Sequence, residues 1–421
     1  MGRQVARRVR DMFVIAVAWS LVAHAQAPAD PSDAFFDDRQ VQTISLHINS
    51  RDLQSFKDHY LDDTYYPCNF EWNGQTVRNA GIHSRGEGSR SATKPGLRVN
   101  FERYVTGQTF LGLRSFVLRN QTQDASYMHE PLTMKLFRRL GVKASREAFA
   151  KLYINNNYAG LYVIVESVDN AFLRKSFGED SGYLYKYEYA ANDPPWFFED
   201  RGTNPDAYVP KPFLPETREN DPRPEKIVEL VRIVNNDTDA VFPTTVEPYI
   251  DWDNFTQHIA VENVVADQDG FNGDYGVNNF YWYRSENKNL FTWIPWDKSE
   301  AFKSPSFLPI FHNFLDGDPQ KQNRLSRRAM DLPNVRALYL DQLLGAARSL
   351  GERDPDNPDD TRGWMEREIQ REYDQIRDLV YADTQKPFTN DEFEAEVERL
   401  RTFARERPAF VESAVGNARG Q

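Results

Sequence analysis

Residues 266–302 read ADQDGFNGDYGVNNFYWYRSENKNLFTWIPWDKSEAF. A loop rich in Asp and Asn runs into the strand-like FYWYR, a polar turn, a second strand-like run FTWIP, and then Asp297 behind Pro295 and Trp296. Aromatic and β-branched runs bounded by polar turns predict a hairpin, and a hairpin returns both flanking loops to the same end. Asp267, Asp269 and Asp274 compete there for the role of catalytic base, and Asn278, Asn279 and Asp297 for that of metal ligand. Hard oxygen donors of this kind can hold a divalent cation and the phosphates it neutralises. Asp and Asn also cap loops without any ligand. The DxDxDG spacing of an EF-hand is missing, so the residues alone leave a metal site and simple loop capping both open.

Upstream of this stretch the pattern is strand-like. VQTISLHI (41–48) alternates apolar and polar residues, Ser50 opens a short capped helix, and Asn73-Gly74 marks a hairpin turn. Further strands are expected at 97–101, 115–119, 150–154 and 160–166, with a helix over 126–140 ended by Gly141. Together these predict an antiparallel sheet with one intervening helix. Residues 192–224, rich in Pro, Asp, Asn and Glu, read as a long loop or crossover. Beyond it helical periodicity predicts helices over 224–234, 253–265, 324–350, 363–380 and 389–407. The expected fold class is therefore α+β, a strand-rich N-terminal part before a helix-rich C-terminal part. The expected divisions are a leader at 1–27, a strand-rich region at 28–190, a loop or crossover at 191–224, and a helical region with the hairpin at 225–421.

The chain has 421 residues, 40% of them apolar, enough for a sizeable core. Its first residues combine arginines, an apolar run from Met12 to Ala23 and small residues at Ala23, Ala25 and Ala27. That is the pattern of a secretory signal peptide, so the mature chain is expected to be secreted or periplasmic, without stable membrane insertion. Its removal would take away four arginines and one aspartate and move the net charge from −12 to −15. Such an acidic surface argues against nucleic acid as a partner. The single cysteine, Cys68, excludes an internal disulfide and reads as a half-buried strand residue.

HExxH, GxSxG, the Walker loop and GxGxxG are all missing. GIHSRGEGSRSATKPGLRVNF (81–101) reads as a strand, a small-residue turn and a returning strand, with Arg85, Arg90, Lys94 and Arg98 able to meet anions; the bland reading is a solvated surface hairpin. His83 in its apolar strand reads as structural, Glu166 as an ordinary strand exit, and Lys186 as the solvent face of an aromatic strand.

Read in order, GIHSRGEGSRSATKPGLRVNF, SFVLRNQTQDASYMHEPLTMKLFRRLGV, LYINNNYAGLYVIVESVD, DGFNGDYGVNNFYWY and FTWIPWD resemble the spore-coat protein H (CotH) family of atypical protein kinases. The C-terminal segments NRLSRRAMDLPNVRALYLDQL and FEAEVERLRTFARERPAFV resemble its helices. The resemblance implies a reduced protein-kinase-like fold of two lobes. It also implies ATP and Mg²⁺ (or Mn²⁺) as cofactors, and a Ser/Thr hydroxyl of an extracytoplasmic protein as phosphoryl acceptor. By position it makes Asp269 the catalytic aspartate, Asn279 and Asp297 the metal ligands, Lys94 the phosphate-side lysine with Arg85 and Arg98 nearby, and Glu166 the adenine-side strand exit.

Two departures stand out. Many members read WDxD where this chain has WDKS, so Ser299 stands in place of the second acid, and either Glu300 substitutes or that contact is lost. Glu87 replaces a common Asn, a charge that would repel phosphate unless it points away or pairs with Arg85 or Arg90. A non-catalytic scaffold with the same fold, or a transferase that moves AMP, are the rival expectations.

Overall fold

The computed structural model describes residues 30–188 and 193–420. The expected leader at 1–27 and the expected division at 190–191 lie outside them. Strand β1 (Gln42–Ile48) buries every second side chain, and after helix α1 (Ser50–Asp58) strand β2 (Tyr66–Trp72) does the same with Tyr66, Cys68, Phe70 and Trp72. The turn to β3 (Gln75–Ser84) is Asn73-Gly74, both at positive φ, as a tight hairpin requires. Next come β4 (Leu97–Asn100), β5 (Ser115–Arg119), α2 (His129–Arg139), β6 (Glu147–Ile154) and β7 (Asn157–Glu166).

These strands pair antiparallel, as expected, at every seam but one. They close into a barrel in the order β1-β2-β3-β4-β5-β7-β6, sealed by a parallel pairing in which Gln42 to Leu46 lie opposite Ala150 to Ile154. Local alternation shows which side chains turn inward, but the closing partner is more than a hundred residues away and leaves no local mark. Phe35, Phe70, Phe110 and Phe116 fill the interior edge to face, and Ile82, Leu97, Val99 and Leu118 complete it. The alternation that turns these residues in turns His83, Arg98, Val117 and Arg119 out. Arg98 lies between His83 and Val117 across β3, β4 and β5.

The remaining elements are α3 (Asn170–Phe177), β8 (Tyr183–Tyr187), β9 (Phe213–Pro215), α4 (Glu225–Asn236), α5 (Phe242–Val246), α6 (Trp252–Val264), β10 (Phe280–Arg284), β11 (Phe291–Pro295), α7 (Arg324–Ala329), α8 (Pro333–Gly351), α9 (Trp364–Ala382) and α10 (Asn390–Arg419). The hairpin predicted from the opening stretch is β10–β11. It sits in a four-stranded sheet ordered β11-β10-β8-β9, cored by Phe213, Phe271, Phe280, Trp282 and Trp293. The fold is α+β.

Three helices differ from expectation. Helix α2 starts at His129 and not at Ser126: Asp124 Oδ2 accepts from the His129 N–H (2.8 Å), and Ser126 Oγ accepts from that of Met128 (3.0 Å). The expected 324–350 helix is two, broken before Pro333, which occupies the first turn of α8 where its missing N–H costs nothing. Helix α10 passes through Pro408 to Arg419, because buried Phe403, Arg407, Val411 and Val415 outweigh one lost backbone bond.

Candidate functional site

The hairpin places its two loops together. Phe280 pairs with Pro295 at its open end, and the Trp296 N–H donates to the Asn279 carbonyl at 3.1 Å, which sets Asp297 beside Asn279. Both Asn279 (φ 57°) and Asp297 (φ 47°) adopt the left-handed conformation, uncommon outside glycine and tolerated best by Asn and Asp. Strained backbone of this sort gathers at functional loops.

The three candidate bases separate by their partners. Asp267 is fully buried: one of its oxygens accepts the Asp269 N–H (3.1 Å), and the other lies 3.0 Å from the Lys298 ammonium. Lys298, also fully buried, reaches Glu262 Oε1 at 2.6 Å, and the second Glu262 oxygen accepts the Phe271 N–H. This network underlies the loop so closely that a Cβ on Gly270 would stand 2.6 Å from the Glu262 carboxyl carbon. Asp274 is occupied by Gln268, His312 and Asn313. Asp269 is the one turned to the cluster, accepting from Asn278 Nδ2 (3.0 Å) and Asn279 Nδ2 (2.9 Å). Burial, with the charges of Asp267 and Asp297 added, pushes its carboxyl up to about 7.

Asp297 meets the outward face of the barrel. Arg119 Nη1 donates to its Oδ2 at 2.7 Å, and Ser299 Oγ to its Oδ1 at 3.2 Å. Burial raises the Asp297 carboxyl, but the Arg119 charge outweighs it and holds the group below the usual range. Arg119 also pairs with Glu130 of α2, a fully buried carboxyl that burial lifts to about 7. The Trp296 ring lies 5.2 Å from the Arg119 guanidinium and 5.6 Å from that of Arg85. Arg98 donates to Ser115 Oγ (3.2 Å), and its field and that of Arg85 both reach buried Tyr281 on β10. His83 is pushed down to about 4 by burial and by Arg98, so it is neutral at pH 7, in keeping with a structural role.

Two predicted residues stand apart from this cluster. Lys94 is buried with its ammonium on Asp383 (2.6 Å) and Tyr127 OH (2.8 Å), over the rings of Tyr127 and Tyr162. Burial lowers it to about 8. The Glu166 carboxylate, also buried, is held by Arg146 (2.7 Å) and Lys175. Glu87 is exposed, while Arg90 reaches instead to Asp63 and to the Gly86 and Leu61 carbonyls. The Glu300 carboxylate accepts from the Lys303 ammonium at 2.5 Å. Ser299 bonds Asp297 through its hydroxyl.

Arg119, Glu130 and Lys298 were not singled out from the sequence. A lone charge in an apolar run, as in SFVLRN, was the available sign. Asp124, His129 and Glu396 bring ligand atoms within 4.8 Å of one another, a spacing that would suit a metal. His129 Nδ1 faces the Ser299 carbonyl and Nε2 the Glu396 carboxylate, each at 2.8 Å, which requires both nitrogens to carry protons. With Arg399 also paired to Glu396, two cations already balance these acids. For a hard cation the oxygen donors that the hairpin brings side by side are Asp297 and the Asn279 amide.

Among the described residues no helix is long and apolar enough to cross a membrane. A family model described as CotH kinase protein matches residues 82–411, from β3 to α10. The inner spore coat protein H of Bacillus subtilis (strain 168) is 25% identical over 369 residues, covering 87% of this chain and 95% of the relative.

Proposed function

Because the chain belongs to the CotH kinase protein family, we propose that it transfers the γ-phosphoryl group of ATP to a Ser or Thr hydroxyl of an extracytoplasmic protein. The barrel and the helical region then act as the two lobes of a reduced kinase-like fold. The observation that carries this reading is Asp269, set between Asn278 and Asn279 and within the field of Asp297.

In the reaction the acceptor oxygen bonds the γ-phosphorus, the bond from that phosphorus to the β,γ-bridging oxygen breaks, and ADP leaves with the electron pair. Asp269 orients the hydroxyl and takes its proton. A Mg²⁺ or Mn²⁺ ion held by Asn279 and Asp297 would neutralise phosphate charge and draw the Asp269 carboxyl down again, favouring the form that accepts a proton. Arg85 and Arg98 are the phosphate-side cations of this reading. Lys94 would have to leave Asp383 to join them, and Glu166 serves by fixing the strand exit. Export is supported by the leader-like residues 1–27 and by a relative named as a coat protein.

The test is incubation of the mature chain with γ-labelled ATP and Mg²⁺ or Mn²⁺. Label should appear on protein and vanish in both Asp269→Ala and Asp297→Ala; unchanged labelling in Asp297→Ala would sink the assignment. Mass spectrometry of the product separates phosphate from AMP.

A non-catalytic scaffold is the second reading, favoured by the ion pair of Arg119 with Asp297 and by Ser299 in place of an acid. Stabilisation against heat by ATP with Mg²⁺ counts against a scaffold that binds no nucleotide, since a ligand that binds only the folded state must stabilise it.

A further inference from the structure

Arg407 of α10 is fully buried, and among the described residues no carboxylate pairs with it. Burying an unpaired charge is costly unless dipoles replace the water. Here the dipoles are carbonyls of two separate segments. Nε donates to Val264 O (3.2 Å) and Nη2 to Asn263 O (2.6 Å), at the C-terminal end of α6, where the helix dipole favours a cation. Nη1 donates to Pro305 O (2.6 Å) and Nη2 to Leu308 O (3.0 Å). The first pair precedes the Asp269 loop and the second follows Asp297, so one planar guanidinium ties together the segments that carry both aspartates.

Arg407 is not alone on its helix. Arg399 donates to the carbonyls of Phe302 and Lys303, Phe403 packs edge-on to Phe302 at 5.2 Å, and Glu396 holds the His129 imidazolium that grips Ser299 O. Positions 396, 399, 403 and 407 fall on one face of a helix. These contacts of that face, directly or through His129, land on 299–308 or on the end of α6.

We propose that this stripe of α10 is the positioning element of the site, with Arg407 and Arg399 as positioning residues that fix the Asp297 loop against the Asp269 loop. The consequence for phosphoryl transfer rests on the function proposed above; the placement of the loops does not. The experiment is amide hydrogen exchange on the full chain carrying Arg399→Gln or Arg407→Lys, together with calorimetric titration of Mn²⁺ with ATP.

Protection over 299–308 and 263–269 should fall while β1 to β7 keep theirs, and the half-saturating Mn²⁺ should rise about tenfold, as when an outer-shell partner of a metal ligand is lost. Arg399→Lys, which can still donate to both carbonyls, should restore most of both. Should Arg407→Lys fail to fold, Arg399→Gln, whose side chain is part-exposed, carries the test. Unchanged protection in Arg399→Gln, or an equal loss throughout the barrel, would overturn the proposal. If the wild type transfers no phosphate but the exchange pattern holds, the positioning role stands and the kinase reading falls.

Discussion

Lys298 and Lys94 are both buried ammoniums held by carboxylates; Lys94 stands out in the sequence as a cation of the 81–101 hairpin, whereas Lys298 is marked only by its neighbour Asp297. Truncating one partner of such a pair leaves an uncompensated buried charge, which costs about 3–5 kcal/mol. Lys298→Met, which leaves Asp267 without its cation and Glu262 with only His258 and the Phe271 N–H, and Lys94→Met, which strands Asp383, should each lose about that much stability in urea unfolding; a loss below about 1 kcal/mol would contradict the pairing. The two lysines also bear on nucleotide binding. With Lys94 committed to Asp383, Arg85→Ala should weaken ATP binding about tenfold, since charge-assisted phosphate contacts are the strong ones, whereas folded Lys94→Met should not. The reverse order would return Lys94 to the phosphates. At this scale the sequence was informative about residue chemistry and silent about partners. The D/N loop and Asp297 were legible because one hairpin joins them, but Arg119 meets Asp297 across 178 positions and nothing local marks it.

Among the elements, α2 and α10 are joined to the Asp297 loop through His129. Its two ring bonds require the imidazolium, and although burial opposes the charge, Asp124 and Glu396 outweigh burial and raise the group. Glu396, despite burial, is held down to about 2 by His129 and Arg399. A raised histidine stabilises the fold fully below its unfolded value of 6.5 and loses that effect as pH climbs through the folded value. A lowered glutamate stabilises fully above its unfolded value of 4.5 and fails as pH falls toward about 2. The melting temperature gap between wild type and His129→Gln should therefore be widest between pH 4.5 and 6.5 and shrink on the alkaline side. A gap that grows with pH would show that His129 is neutral. Elements themselves were mostly legible: strands by alternation, α6 and α9 by period. Boundaries failed where a side chain or a proline overrode the pattern, as at Ser126, Pro333 and Pro408.

For the whole molecule, buried ion pairs bridge the barrel and the C-terminal helices. Lys94 meets Asp383, and Lys135 of α2 meets Glu368, Glu372 and Asp38. Coupling of this kind predicts a single cooperative transition, so tryptophan fluorescence and far-ultraviolet circular dichroism should give one coincident urea curve; two separated midpoints would mean that barrel and helices unfold independently. Class and order of elements could be read from the chain, whereas barrel closure and these bridges join distant positions and could not. Closure carries a further consequence. An unpaired strand is a template on which other chains can add, and natural proteins blunt it. The barrel has no such strand, and β9 spans only three residues. The outer rim of β11 is covered: the Asn254 amide both donates to and accepts from the Trp293 backbone, and the Tyr249 carbonyl takes the Phe291 N–H. Among the described residues, crowded copies of this chain thus find only the three-residue edge of β9 as a template for the cross-strand growth that leads to fibrils.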